Sequence, residues 1–529
     1  MKKNIKDPKT LIEEAKAKHL GEKKASYREV LVQIIAGLGK VDITALIHKG
    51  IESKRRKIQA LEAELNQKES SDEQGSIQRQ VDLLTAEIDK AKVYQYQLLV
   101  RCTEQVIEKI DQLGYGICHY QGGVYLYNGA FWELTEKGII QNFLGKAAEK
   151  LGIERDKSRY FQFKEKLYDQ LRSGVTQMVP ETDETVSVNL QNGTYDIDRS
   201  RRGLRAFSKV DFLRYELPFS FNSEATAPQF QSFLDKVLPD PDCQMILAEY
   251  IGYIFIKGHV LKLEKVLLLY GSGANGKSVV FDVVGALVGD ENISHYSLQS
   301  LCDQTGHNRA NLANKLLNYS SELNGDLSAD KFKQLASGEP IEARHLYSAP
   351  FILKDYGKLM FNCNELPWKV EHTHGFYRRF LILPFEVIIP KAEQDKHLAG
   401  KIIANELPGV FNWAMQGLER LLKQQEFTDS EAANQILRQF KVESDTVQLF
   451  LQDKGQVPST VKYATLKDTY AEYRSYCGED GYQPVNNKTF KKRLKTIGFA
   501  VQRKNFGWVV YLEKETVVFN DSLSTLPSL

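Results

Sequence analysis

A multi-domain α/β chain is the predicted fold class, and three observations predict it. The chain has 529 residues, room for three or four domains of ~150 residues each. An apolar run at 266–270 enters a glycine-rich turn, and a proline-free apolar stretch follows at 279–288, in the order strand, loop, helix. The pattern also changes character near 115, from helical periodicity to short aromatic segments around Asn-Gly turns. With 42% hydrophobic and 26% charged residues, the composition is that of an ordinary soluble globular protein. Net charge is +2, so any nucleic-acid surface must be local. No apolar run approaches the ~18 residues a membrane span needs, and the charged N-terminus lacks the apolar core of a secretion signal. Cys102, Cys118, Cys243, Cys302, Cys363 and Cys477 are scattered with no Cys-x-x-Cys pair. That fits reduced thiols in a cytoplasmic protein rather than a disulfide framework or a zinc site.

In chain order, 1–25 is rich in Lys and Glu and reads as frayed or helical, and 27–46 suggests no chemistry. From 51 to about 110, apolar residues recur at Ile51, Ile58, Leu61 and Leu65, then at Ile77, Val81, Leu84 and Ile88, with a polar break at 68–76. Runs this short predict two antiparallel helices, a packing or interaction arm, rather than a long coiled coil. Asn128-Gly129 and Asn192-Gly193, each between short β-type segments, predict two hairpins. The aromatic residues there are expected in the core rather than stacked on bases. An apolar helix at 245–255 then leads into the glycine-rich turn.

Gly271, Ser272, Gly273, Ala274, Asn275, Gly276, Lys277 and Ser278 match the phosphate-loop pattern G-x-x-x-x-G-K-[ST]. Backbone N–H groups freed by glycines wrap phosphates, and the helix N-terminus adds partial positive charge. Lys277 is expected on the β/γ-phosphates and Ser278 on Mg²⁺, with ATP as the nucleotide. A carboxylate is then needed on a neighbouring strand. Glu322, ending the short apolar run 315–322, supplies it, to polarise the attacking water and help hold the metal. Asn364 ends a second buried strand and is expected to orient the lytic water or read the γ-phosphate. Arg378 and Arg379 precede a third strand. An arginine against the γ-phosphate can contribute about 10³–10⁵ in rate, and one reaching across a subunit boundary completes the site only in a ring.

This series, with Lys333-x-x-x-Ser-Gly-Glu-Pro-Ile341 and Asn364-Glu-Leu-Pro between its ends, resembles the superfamily 3 helicases of the AAA+ class. Within them it is most similar to the phage/plasmid and poxvirus primase-helicases. Where that family shows a pair of acids at its second motif, here only Glu322 stands. The resemblance implies an AAA+ P-loop ATPase core in a hexameric ring that uses ATP to move along single-stranded DNA and part a duplex. It also implies a DNA-gripping hairpin at 338–351, with Arg344 and His345 near its tip and Lys333 and Lys354 as weaker candidates. The C-terminal pattern of three helices and a hairpin predicts a winged helix, in which such relatives often end. Lys488, Lys491, Lys492, Arg493, Lys495, Arg503 and Lys504 lie there without an intervening acid, a footprint for duplex DNA.

The expected domains are a helical arm at 1–114, an α+β domain at 115–235, the AAA+ domain at 236–425, the winged helix at 445–519 and a disordered tail at 520–529. Residues 1–115 are too short and too helical for the clustered acids of a primase, so a separate primase is a candidate partner. The expected activity is that of a replicative DNA helicase of a phage or mobile element. An origin-binding initiator, or an AAA+ loader whose ATP site drives assembly, is the alternative.

Overall fold

The computed structural model describes residues 7–19, 24–48, 50–67, 70–178, 184–199, 202–321, 323, 328–367 and 370–514. The chain divides into two compact units, Glu13–Glu224 and Met1–Ile12 with Ala225–Leu529. Glu322 and the tail expected at 520–529 lie outside the described residues. No helix among those described is long and apolar enough to cross a membrane.

In the first unit, the expected helical pair forms as Ile51–Leu65 and Ser71–Asp89. Lys54 near the start of one meets Glu87 near the end of the other at 2.8 Å, so the two run antiparallel. Helix Gln95–Gln112 buries Leu98, Leu99, Cys102, Val106 and Ile110 on one face. These pack with Val124, Leu126, Phe143 and Leu167 in one continuous core. The boundary expected at 114 therefore runs through a hydrophobic core, because the apolar stripe of this helix is covered by residues that follow it in the chain. Two antiparallel meanders follow the Asn-Gly signals. The first is β1 (Gly116–Tyr120), β2 (Gly123–Tyr127) and β3 (Trp132–Leu134), the second β4 (Val186–Leu190), β5 (Gly193–Ile197) and β6 (Arg202–Arg205). Tyr125, Tyr127 and Trp132 are buried against Phe212, so these aromatics are core.

The second unit holds a five-stranded, all-parallel sheet. Its strands are β7 (Val266–Tyr270), β8 (Ile293–Ser294), β9 (Leu317–Ser320), β12 (Lys358–Cys363) and β13 (Phe380–Pro384), in the order β13-β7-β12-β9-β8. Four consecutive residues of β7 are fully buried, as a strand covered on both faces requires. Helix Lys277–Val288 covers it with Val280, Val283, Val284 and Leu287, an i, i+3, i+4, i+7 stripe. Helices Pro241–Tyr253 and Leu398–Gln424 pack closely on each other, and a Cβ at Gly417 would run into the Ala248 backbone. A hairpin of β10 (Ile341–Ala343) and β11 (Phe351–Leu353) is inserted between β9 and β12. After residue 445 come helix Thr446–Asp453, β14 (Gln456–Thr465), helices Leu466–Glu479 and Asn487–Ile497, β15 (Val501–Lys504) and β16 (Gly507–Lys514), with sheet order β14-β16-β15.

Candidate functional site

The C-terminal end of β7 opens directly into the glycine-rich turn, beside the central strand β12 of the parallel sheet. The turn bends through Gly273 at φ 133°, Ala274 at φ 52° and Gly276 at φ 87°. Ala274 occupies the left-handed region at a cost of about 1–2 kcal/mol for a residue with a Cβ; its carbonyl is held by the Ile389 N–H at 2.9 Å. A Cβ at Gly271 would strike the Phe385 carbonyl, and one at Gly276 would strike the Phe233 ring. Helix Lys277–Val288 starts at once and has no side-chain N-cap. Its first N–H groups therefore remain available to an anion.

Lys277 is only 6% exposed. Its Nζ donates to the Gly271 carbonyl at 2.6 Å and to Asn275 Oδ1 at 3.0 Å. Burial pulls its pKa below the ordinary lysine value. Asn275 is buried and donates its amide to the Phe385 carbonyl, tying the turn to the segment after β13. Ser278 is exposed in the first turn of the helix. A glycine cradle, an uncapped helix start and a sequestered ammonium form a donor set that fits a polyphosphate.

Two asparagines stand beside this cradle. Asn364, just past β12, is exposed. Asn362, which sequence reasoning passed over, is buried within β12 and accepts the Tyr319 hydroxyl at 2.8 Å. Burial pushes that phenol well above its ordinary pKa, so it stays a donor. The pair Tyr319–Asn362 links β9 to β12 beside the start of the loop helix. The spacing Asn-Cys-Asn was the available signal, since residues two apart share one face of a strand.

Arg378 and Arg379 take different positions. The Val266 N–H donates to the Arg379 carbonyl at 2.8 Å, and Phe380 pairs with Val266. The arginines thus stand at the N-terminal ends of the strands, roughly 15 Å along β7 from the phosphate loop of the same chain at ~3.3 Å per residue. Arg379 is 8% exposed and donates to Ser337 Oγ at 3.2 and 2.9 Å and to the Gly375 carbonyl. Arg378 is about half exposed and meets Glu264 at 2.6 Å. Partial burial works against the charge of Glu264, but Arg379 and Arg378 hold its carboxyl below the usual range.

The β10–β11 hairpin is anchored by Ile341, Ala343 and Leu353 in the core. Fully buried Arg309 donates to the Glu342 carbonyl at 2.9 Å at its base. At the tip, Arg344 Nε donates to the Ser348 carbonyl at 2.9 Å, and the His345 ring stacks on Phe351 at 5.3 Å. Tyr347 projects there fully exposed, at φ 59°. Lys354 is exposed at the hairpin base. Lys333 lies apart from the hairpin, on helix Ala329–Ala336, paired with Glu371 at 2.6 Å.

Helix Asn487–Ile497 buries Phe490 and Leu494 and leaves Lys488, Lys492 and Lys495 exposed. Arg493 turns inward to Asp445 at 2.8 Å, so it is a structural bridge rather than a free surface cation. Lys491 covers the Trp508 ring, Lys504 covers Tyr463, and Arg503 is exposed on β15.

Three family models match the chain: D5 N terminal like over 110–239, a family of unknown function (DUF5906) over 269–379, and Poxvirus D5 protein-like over 443–524. "Putative helicase L207/L206" of Acanthamoeba polyphaga mimivirus is 26% identical over 253 residues, covering 44% of this chain and 25% of that protein. "Putative helicase 121R" of Invertebrate iridescent virus 3 is 24% identical over 220 residues, covering 38% of this chain and 22% of that protein. The match thus spans about a quarter of the length of these relatives. The apo structure of the NrS-1 C terminal region (305-718) is 12% identical with a TM-score of 0.45, covering 77% of this chain and 97% of that one. A superposition that loose carries no argument. The two D5 models flank the glycine-rich turn, one ending before β7 and the other covering the basic helix and the last hairpin, so the chain is similar to D5-like proteins on both sides of that turn.

Proposed function

We propose that this chain is an ATP-driven DNA helicase of the superfamily 3, AAA+ type that works as a ring, expected to be hexameric, on single-stranded DNA. The observation that carries the reading is the buried Lys277 behind a glycine cradle at an uncapped helix start. ATP bound there supplies the free energy for strand displacement. Loop residues 271–277 would hold its phosphates, Ser278 the Mg²⁺ ion, and Glu322 the metal or the attacking water. Asn275 keeps the turn closed on the segment after β13, and Asn364, exposed just past β12, would orient the attacking water. The separation of Arg378 from its own chain's loop supports a site completed by a neighbouring protomer, where its guanidinium would meet spread negative charge. Arg344, His345 and Lys354 would contact the sugar-phosphate chain, and Tyr347 offers a ring to a base. We read the elements after residue 445 as a winged helix whose exposed Lys488, Lys492, Lys495 and Arg503 meet duplex backbone.

The test is unwinding of a forked duplex with ATP and Mg²⁺, alongside the mass of the assembly. The wild-type chain should part the strands as a ring, and Lys277→Ala and Glu322→Ala should each abolish this while keeping assembly. Intact strand separation in Glu322→Ala would sink the motor reading. Hydrolysis without unwinding would favour the loader, and assembly without turnover the initiator.

A further inference from the structure

The tip of the last hairpin carries a ring, Phe506, that neither the nucleotide cradle nor the basic helix uses. Phe506 sits in the two-residue turn between β15 and β16 and is 65% exposed. Trp508 and Tyr463 are 40% and 46% exposed. A register shift in β14 between Pro458 and Tyr463 brings Tyr463 opposite Tyr511 on the same sheet. The Tyr463 ring lies 6.5 Å from Phe506 at 27°, nearly parallel, and 5.6 Å from Tyr511. Lys504 Nζ is 3.4 Å over Tyr463 and 5.5 Å from the Tyr511 ring centre. On the other side of the hairpin, Lys491 covers Trp508, opposite Arg503.

Scattered exposed rings need no explanation, but a cluster fringed by cations marks a binding surface. A surface for phosphates alone needs cations and has no use for the rings. A surface for an apolar protein partner is poorly served by a run from 486 to 504 that holds seven basic residues and no acid. Rings with ammonium groups at their edges match a nucleotide, whose base offers a flat π-face and whose phosphate is an anion. Inside a duplex every base face is already covered by its neighbours. A free face is available at the first unpaired base next to a duplex.

Resting on the reading of this chain as a DNA-binding protein, we propose that Phe506, with Tyr463 and Lys504, stacks on the first unpaired base at a junction of single- and double-stranded DNA. The wing is then a junction reader, while the exposed lysines of helix Asn487–Ile497 hold the adjoining duplex.

The test uses the full chain without nucleotide, so that failure of the motor reading and failure of this one are separable. Fluorescence of 2-aminopurine at the first unpaired position is compared with the same probe inside the duplex, and affinity for the forked DNA with that for its blunt counterpart. Quenching at the junction position is expected. Phe506→Ala should relieve it and lower the forked-to-blunt affinity ratio about tenfold, as the loss of one stacked ring does. Phe506→Tyr should retain both. Phe506→Leu, which keeps apolar bulk without a π-face, should behave as Phe506→Ala; if it retains the ratio, stacking is wrong. Equal losses on forked and blunt DNA, or a changed assembly mass with DNA binding intact, would also overturn the proposal, the latter by making the patch a contact between copies. A wild-type chain that binds neither DNA would end it together with the DNA-binding reading.

Discussion

The glycine-rich turn and the C-terminal hairpin both rest on lysine and arginine, but they present those residues in opposite ways. Three cations around the parallel sheet are buried and already satisfied. Lys277 is held by Gly271 and Asn275, Arg379 by Ser337 and Gly375, and Arg309 by the Glu342 carbonyl. On the hairpin and its helix, Lys488, Lys492 and Arg503 are exposed, and Lys504 rests on a ring rather than a carboxylate. A preorganised buried cation acts at one point in a low dielectric, whereas exposed cations act collectively and are screened by salt. The first kind reads a small anion, and the second tracks a polymer.

That contrast breaks first at Lys277. Lys277→Ala should lower ATP turnover at least about a hundredfold, as removal of a preorganised donor does, while fluorescence anisotropy on duplex DNA stays unchanged. A matching loss of duplex binding would show that the two regions are not separate. The adjacent arginines sharpen the point. Arg379→Ala should destabilise the fold by about 3 kcal/mol, because buried Ser337 and the Gly375 carbonyl lose their charged partner, visible in chemical denaturation. Arg378→Ala should leave the denaturation midpoint in place and lower turnover of the assembled protein about a thousandfold. Identical behaviour of the two variants would erase the distinction drawn from their burial.

A smaller effect is expected at Lys358, a buried cation whose ammonium lies 4.2 Å over the Tyr253 ring. Burial pushes its pKa down from 10.5 to about 8. The unfolded chain therefore holds the proton more tightly, and stability rises as pH climbs from about 8 toward 10.5. Lys358→Met should stabilise the protein by about 2 kcal/mol at neutral pH, with the advantage fading across that window in urea titrations. An advantage independent of pH would place its origin in packing alone. The smallest effects belong to the surface. Lys492→Ala should weaken duplex binding a few-fold and reduce the salt slope by about one. Arg493→Ala should leave the slope intact and cost about 1.5–3 kcal/mol of stability through its bond to Asp445.

Much of this was legible in the residues. The turn and helix of the cradle, both Asn-Gly hairpins and helix Asn487–Ile497 follow from local pattern, and β7 is legible from its apolar run although its ladders to β12 and β13 are long-range. β14 was not foreseen. The pattern there gave only three helices and a hairpin, and the strand takes its ladder from β16 on both sides of a register shift. Asn362 was missed in favour of Asn364, since only the neighbouring strand brings the Tyr319 hydroxyl to it. The ion pairs of Arg493 and Lys333 were illegible for a similar reason. Their acidic partners Asp445 and Glu371 are 48 and 38 residues away in the chain.

The amino-acid order alone determined the glycine-rich turn and its lysine, because φ > 0 at glycine, a helix start and a lysine are consequences of eight consecutive residues. Which cations stay free and which become internal braces was decided by the tertiary structure. Burial and the arrival of a distant carboxylate, hydroxyl or carbonyl are long-range events, and they assign Arg378 to the surface and Arg379 to the interior although the two are neighbours in sequence.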